Sequence, residues 1–141
     1  MSLTKKFGAE LIKSIFTNKD LNIASDIKVA LYTSEPNADG GGTEVSGGGY
    51  SRVSVARNTT NWSESEENNK SYTQNLVDIK FPAAQADWGT ITHFALHSAQ
   101  NGSSNYVMIG FGALHSSVEV LSGNGGPIFN SGSLKFYLDG K

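Results

Sequence analysis

Over the first twenty positions the apolar residues keep the period of a helix. Leu3, Phe7, Leu11 and Ile15 stand four apart, and Ile12 and Phe16 widen the same face, which is the spacing of an amphipathic helix with one apolar side. Ser2 or Thr4 offers a cap at its start, and Asn18, Lys19 and Asp20 a polar stop at its end. From residue 27 onward the period changes to two. Ile27, Val29 and Leu31 share one face of a run over 27–34, and Ser51, Val53 and Val55 alternate in the next. Val77, Ile79 and Phe81 align before Pro82, which has no donor for a ladder and closes the run. Phe94 and Leu96 mark a strand over 90–98. Val107, Ile109, Phe111 and Ala113 fall on one face of a run over 106–115, opposite Gly110 and Gly112. Those two glycines bare one surface, which permits a bend or an aromatic ring laid over the backbone. Runs over 117–121 and 133–138 complete the set, the last with Leu134, Phe136 and Leu138 inward.

Short alternating runs separated by Gly, Asn and Ser turns predict an all-β chain: an antiparallel β-sandwich or jelly roll with one short N-terminal amphipathic helix. The expected organisation is one domain over residues 1–141, with a helical arm over 1–20 and the sandwich over 27–141; a chain of 141 residues hides about two thirds of its unfolded surface in one core. Two roles suit the helix. It is a lid over one opening of the sandwich, or a terminal segment lent to a neighbouring subunit.

Two glycine clusters change this picture locally. Gly40, Gly41, Gly42 and Gly47, Gly48, Gly49 lie between the first two strand runs, where residues without a Cβ let the chain reverse tightly and another backbone approach. Around them stand Asn37, Asp39, Thr43, Glu44 and Ser46, with no base and nucleophile paired among them. The stretch 57–74 is the least hydrophobic of the chain and reads as a long surface loop anchored by Trp62 and Tyr72, either onto the sandwich or onto a partner. Its Glu64, Glu66 and Glu67 read as a solvated acidic knot. Sequons at Asn58, Asn61, Asn69 and Asn101 are what so Asn- and Ser-rich a chain produces by chance.

Composition narrows the function. Charged residues make up 17% of the chain and its net charge is -2, so there is no basic cluster of the kind that binds nucleic acid. The absence of cysteine removes disulfides and thiolate metal sites. The first residues mix polar and apolar too closely for a signal peptide, and no apolar run approaches membrane-spanning length. The expectation is a soluble protein made in the cytoplasm, with no membrane partner. Catalytic patterns are missing as well. His93 and His97 in a strand sit about 13 Å apart along the backbone, too far to share a metal. No serine lies in a nucleophile elbow, no glycine cluster continues as a phosphate loop, and Asp39 with Glu44 lacks the alternating oxygens of a calcium loop. The reading is a non-enzyme with no cofactor, no metal and no catalytic residue.

Several segments together resemble a family of small structural proteins of tailed bacteriophage virions, often described as tail-fibre-like. They are VALYTSEP, GTEVSGGGYSR, the FPAA of Phe81 to Ala84, ADWGTITHFAL, IGFGAL and FNSGSLKFYL. The resemblance implies an all-β virion component without catalytic activity. The stretch 57–74 departs from it, being longer and more charged. Among virion components, a capsid decoration (cement) protein on the outer surface of the head must be small and able to bridge capsid subunits through many weak contacts. The chain meets those needs. The alternative is a tail fibre or tail-tip appendage, as an adaptor or receptor-binding head, since the chain has no repeats or heptads for a shaft. A third reading, a carbohydrate-binding module, rests only on exposed-looking Trp62 and Trp88, and both are as easily core or loop anchors. The expected partners are the major capsid protein or other virion proteins, with a homo-oligomer, a trimer among the options. The expected assembly surface comprises Leu3, Phe7, Leu11, Ile15, Gly47, Gly48, Gly49, Tyr50 and Trp62.

Overall fold

The computed structural model describes residues 1, 3–21, 23–37, 39, 41–99 and 106–138. Ser2, Gly40 and the sequon at 101–103 lie outside the described residues. Helix α1 runs Lys5–Thr17. Thr4 begins it: its hydroxyl accepts from Phe7 N at 3.3 Å, satisfying one of the donors a helix start leaves open. Asn18 ends it with a left-handed φ of 57°, a conformation asparagine tolerates better than most residues.

The strands are β1 (Asp26–Tyr32), β2 (Val53–Ala56), β3 (Ser65–Glu67), β4 (Lys70–Gln74), β5 (Ile79–Lys80), β6 (Gly89–Ala99), β7 (Tyr106–Val120), β8 (Ile128–Phe129) and β9 (Lys135–Leu138). They form a four-stranded sheet in the order β2-β1-β6-β7, a three-stranded sheet β3-β4-β9 and a β5-β8 pair. All named pairings are antiparallel, and the sheets pack against one another over a shared core. Val29, Leu31, Phe94 and Leu96 supply the four-stranded side of that core, and Ile79, Phe129 and Leu134 come from opposite. Alternation then puts Ala30, Tyr32 and Ala95 on the outer face, where with Met108 they form a second buried cluster.

Strand β7 departs from the predicted alternation. Leu96 pairs with Gly110 and His97 with Met108, which leaves Ile109 as an unpaired extra residue. A bulge of this kind switches the faces beyond it. Ile109 therefore packs on the main core while Phe111 joins the outer cluster, where the sequence period had put them together. Gly110 and Gly112 keep the inner face, and a Cβ on Gly112 would meet Phe94 Cζ at 2.9 Å, so the bare backbone is where the ring lies. A further irregularity, between Ile91↔Val118 and His93↔Ala113, joins the two runs expected over 106–115 and 117–121 into one strand.

Residues 57–74 are not a plain loop. They contain the β3-β4 hairpin, turned at Asn68 (φ 50°) and Asn69 (φ 62°), two successive left-handed residues as a tight type I′ hairpin requires. Of the run expected through Val77, Ile79 and Phe81, only Ile79–Lys80 is a strand. The N-terminal arm makes the last link between sheets. Leu3 pairs with Gly110, Thr4 N donates to Ile109 O at 2.9 Å, and Tyr137 N donates to Met1 O at 3.0 Å, so the arm touches both the edge strand β7 and strand β9.

Candidate functional site

The expected assembly residues fall in three places. Leu3, Phe7 and Leu11 are half-buried, and α1 lies against β7. Ile15 is 65% exposed, as are its neighbours Ile12 at 60% and Phe16 at 79%. The stripe read from the sequence thus divides: its first part meets the strands, and its end forms an outward ridge.

The Gly47 to Tyr50 corner lies toward the far end of β1. Gly47, Gly48 and Gly49 all have positive φ, at 74°, 58° and 75°. A Cβ on Gly48 would come within 3.0 Å of the Trp88 ring and 2.9 Å of Ala86 O, and one on Gly49 within 2.8 Å of Gln85, whereas Gly47 faces open space. The close approach read from the glycines is made by the chain itself. Trp88 Nε1 donates to Gly48 O at 2.9 Å, and the Tyr50 ring meets Trp88 edge-on at 5.5 Å. Trp88 is 5% exposed, which corrects the reading of it as a surface tryptophan and removes half the support for a carbohydrate-binding module.

Tyr50 also anchors a polar network absent from the sequence expectations. Residues 43–45 run beside β1, with Thr33 N donating to Thr43 O at 2.9 Å and Val45 N to Leu31 O at 3.0 Å. Between this segment and β2, Arg52 grips both oxygens of Glu44 at 2.8 Å each. The Tyr50 hydroxyl donates to Glu44 Oε1 at 2.9 Å and accepts from Leu31 N at 3.0 Å. Burial pushes the Glu44 carboxyl up, but the Arg52 hydrogen bonds and charge, with the Tyr50 hydroxyl, outweigh it and hold the carboxyl below its ordinary value. Burial likewise raises the Tyr32 phenol to about 12, with the Glu44 charge adding to it. The Tyr32 hydroxyl lies 3.1 Å from His97 Nε2. The carboxylate is neutralised by a bidentate partner and the phenol stays protonated, so the network fastens an edge segment of the sheet.

The sign of the pH effect follows. A carboxyl held low in the folded state adds stability that is complete above its unfolded value and is lost as pH falls through the folded one. The stability gap between the native chain and Glu44→Gln is expected to be widest at neutral pH and to close as pH drops below 4.5, the ordinary glutamate value. Urea unfolding at several pH values measures it, and a gap that stays constant down to about pH 3 would separate the effect from this charge.

Trp62 stands at the third place. It is half-buried, packs on the core and bridges to Asn75. With Ile27, Leu96, Ile109 and Phe136 it lines an apolar pocket of about 230 Å³. Leu3 is paired with Gly110, next to the Ile109 that lines this pocket, whereas the Gly47 to Tyr50 corner lines no part of it. Two larger grooves flank the smaller strands: one of about 720 Å³ between β7 and β8-β9, and one of about 680 Å³ on the three-stranded sheet. Among the described residues, no three His, Asp or Glu side chains converge as metal ligands.

The family model described as podophage GP4 fiber I protein gp80 matches residues 2–137, nearly the whole chain. The chain belongs to this podophage fibre I family. No curated protein matches it. As a fibre I family member it is a structural component of a bacteriophage virion, made in the host cell and carried in the particle, and its dealings are with other virion proteins. The segments that carry the resemblance in the sequence, from GTEVSGGGY to FNSGSLKFYL, lie within the matched residues except for the final Leu138. In the structure they are the glycine corner on Trp88, strand β6 and the closing strand β9.

Proposed function

We propose that the chain is a non-enzymatic building block of the tail fibre or tail-tip appendage, acting as a single domain that holds other virion proteins through its surface. The match to a fibre family over residues 2–137 carries this reading. It favours the tail appendage over head decoration, the role that size and composition alone put first. The geometry supports a structural role: the most elaborate polar cluster, Glu44 with Arg52 and Tyr50, spends its hydrogen bonds within the chain. Leu3, Phe7, Leu11, Ile15, the Gly47 to Tyr50 corner and Trp62 are retained as candidate contact residues, and of these Ile15 offers the most exposed apolar surface.

Location and copy number test the proposal. Antibody labelling of intact particles is expected to mark the tail, and quantitative mass spectrometry to find far fewer copies than of the major capsid protein. Label spread over the head at near parity with that protein would return the chain to the decoration role.

A further inference from the structure

Helix α1 ends in an apolar ridge turned to solvent: Ile12, Ile15 and Phe16, at spacings that put them on one side of the helix. Phe16, at 79%, is the most exposed large apolar side chain among the described residues. The surroundings of the ridge are basic. Lys5, Lys6, Lys13 and Lys19 outnumber Glu10 and Asp20 over the first twenty residues, and Glu10 is engaged by Lys13 at 3.2 Å. A ridge of this size on a surface helix marks a contact, and its charge limits what it contacts.

The complementary surface is on the same chain, on another element. The groove of about 680 Å³ is lined by one face of the β3-β4-β9 sheet. Register puts Glu66, Ser71 and Leu138 in one row across that face, and Thr73 with Phe136 in a second. Leu138 is 46% exposed. Glu64 and Glu66 line the groove and Glu67 follows in the same edge strand, so an apolar floor has an acidic rim. Glutamates on an edge strand repel another copy of that strand and so block edge-to-edge pairing. The same charges attract a lysine-bearing helix.

We propose that α1 of one copy docks in the β3-β4-β9 groove of a second copy, with the Ile12, Ile15 and Phe16 ridge on Phe136 and Leu138 and the helix lysines against Glu64 and Glu66. The two surfaces are different, so the contact is heterologous: each copy that gives its helix still has a groove to offer. Such a contact closes into a ring or continues as a filament. It rests on the fibre reading only for its biological setting, as a way of joining fibre subunits.

Sedimentation of the purified full-length chain tests it. The native chain is expected to associate in a concentration-dependent way, and the association to weaken as NaCl is raised from ~0.1 M to ~1 M, which shortens the screening length from about 10 Å to about 3 Å. Phe16→Ser, the pair Lys6→Glu with Lys13→Glu, and the pair Glu64→Lys with Glu66→Lys are each expected to weaken it at least about tenfold, a loss of about 1.4 kcal/mol. All five side chains lie on the surface, and unchanged circular dichroism verifies the fold. Mixing the two charge-reversed proteins is expected to restore association, because each then presents to the other an opposite charge. A native chain that remains monomeric at every concentration overturns the proposal. So does association indifferent to these substitutions, or a mixture that stays monomeric. None of these results alters where antibodies label the particle, so the contact can fail while the fibre reading stands.

Discussion

Trp88→Ala is expected to lower stability by about 3–5 kcal/mol, the cost of truncating a large aromatic in a packed core. Against a total of about 5–15 kcal/mol for a typical domain, that is a large fraction of the whole. The indole is 5% exposed and joins three segments: its ring meets Tyr50, its Nε1 donates to Gly48 O at 2.9 Å, and its backbone N donates to Val120 O at 2.9 Å. Gly126 fits beside it only because it lacks a side chain, since a Cβ there would lie 3.0 Å from the ring. Removing the indole leaves a cavity lined by groups already committed elsewhere, and the Gly48 carbonyl without its donor. Trp88→Phe keeps much of the packing and should lose about half as much. Urea unfolding monitored by circular dichroism gives both values. A loss below about 1 kcal/mol for the alanine variant would mean that the corner is held by its backbone alone.

The second large effect is expected at Asn75, whose side chain is fully buried at 0% exposure. Its Nδ2 donates to Val77 O at 2.9 Å and Asn130 O at 3.0 Å, with a longer bond to Phe129 O at 3.4 Å, and its Oδ1 accepts from Leu134 N at 2.9 Å. One amide thus closes the backbone accounts of the segments leading into β5, out of β8 and into β9. Alanine would leave a buried donor and three carbonyls without this partner, at about 1–3 kcal/mol for each group left unsatisfied, so a total loss of at least about 4 kcal/mol is expected. Asn75→Asp is the sharper variant. It keeps the shape and the bond from Leu134 N but aims a carboxylate oxygen at carbonyl oxygens, and it should recover stability on acidification as the carboxyl takes up a proton. If the aspartate variant matched the native chain at neutral pH, the bonds from Nδ2 to the three carbonyls would contribute nothing to stability.

Both residues illustrate what the sequence discloses. The helix period over 3–16 and the two-residue period over 27–34, 90–98 and 133–138 each correspond to an observed element, because one side of each is buried and the pattern records it. The β3-β4 hairpin left no such record: Ser65, Glu66, Glu67, Lys70 and Ser71 are polar on both faces, and its turn uses two asparagines where glycine would have been the plainer signal. The Ile109 bulge was equally hidden, since an added residue breaks the period without changing composition. For the contact surface, spacing found the helix stripe but could not say that Leu3, Phe7 and Leu11 are half-buried while Ile15 stands out in solvent. Glycine content foretold a close approach at Gly48. It did not tell that the visitor was Trp88, forty residues along the same chain.

The pairing of Met1 with Tyr137 and of Leu3 with Gly110 bears on how copies are made. During translation this opening segment emerges well before either strand that will receive it: its Leu3 end waits for β7, and its Met1 end for β9. An aborted product lacking β9 would keep that seam open and its apolar edges within reach of chaperones and proteases. Only once β9 is in place is the arm gripped from both sides, by Gly110 and by Tyr137.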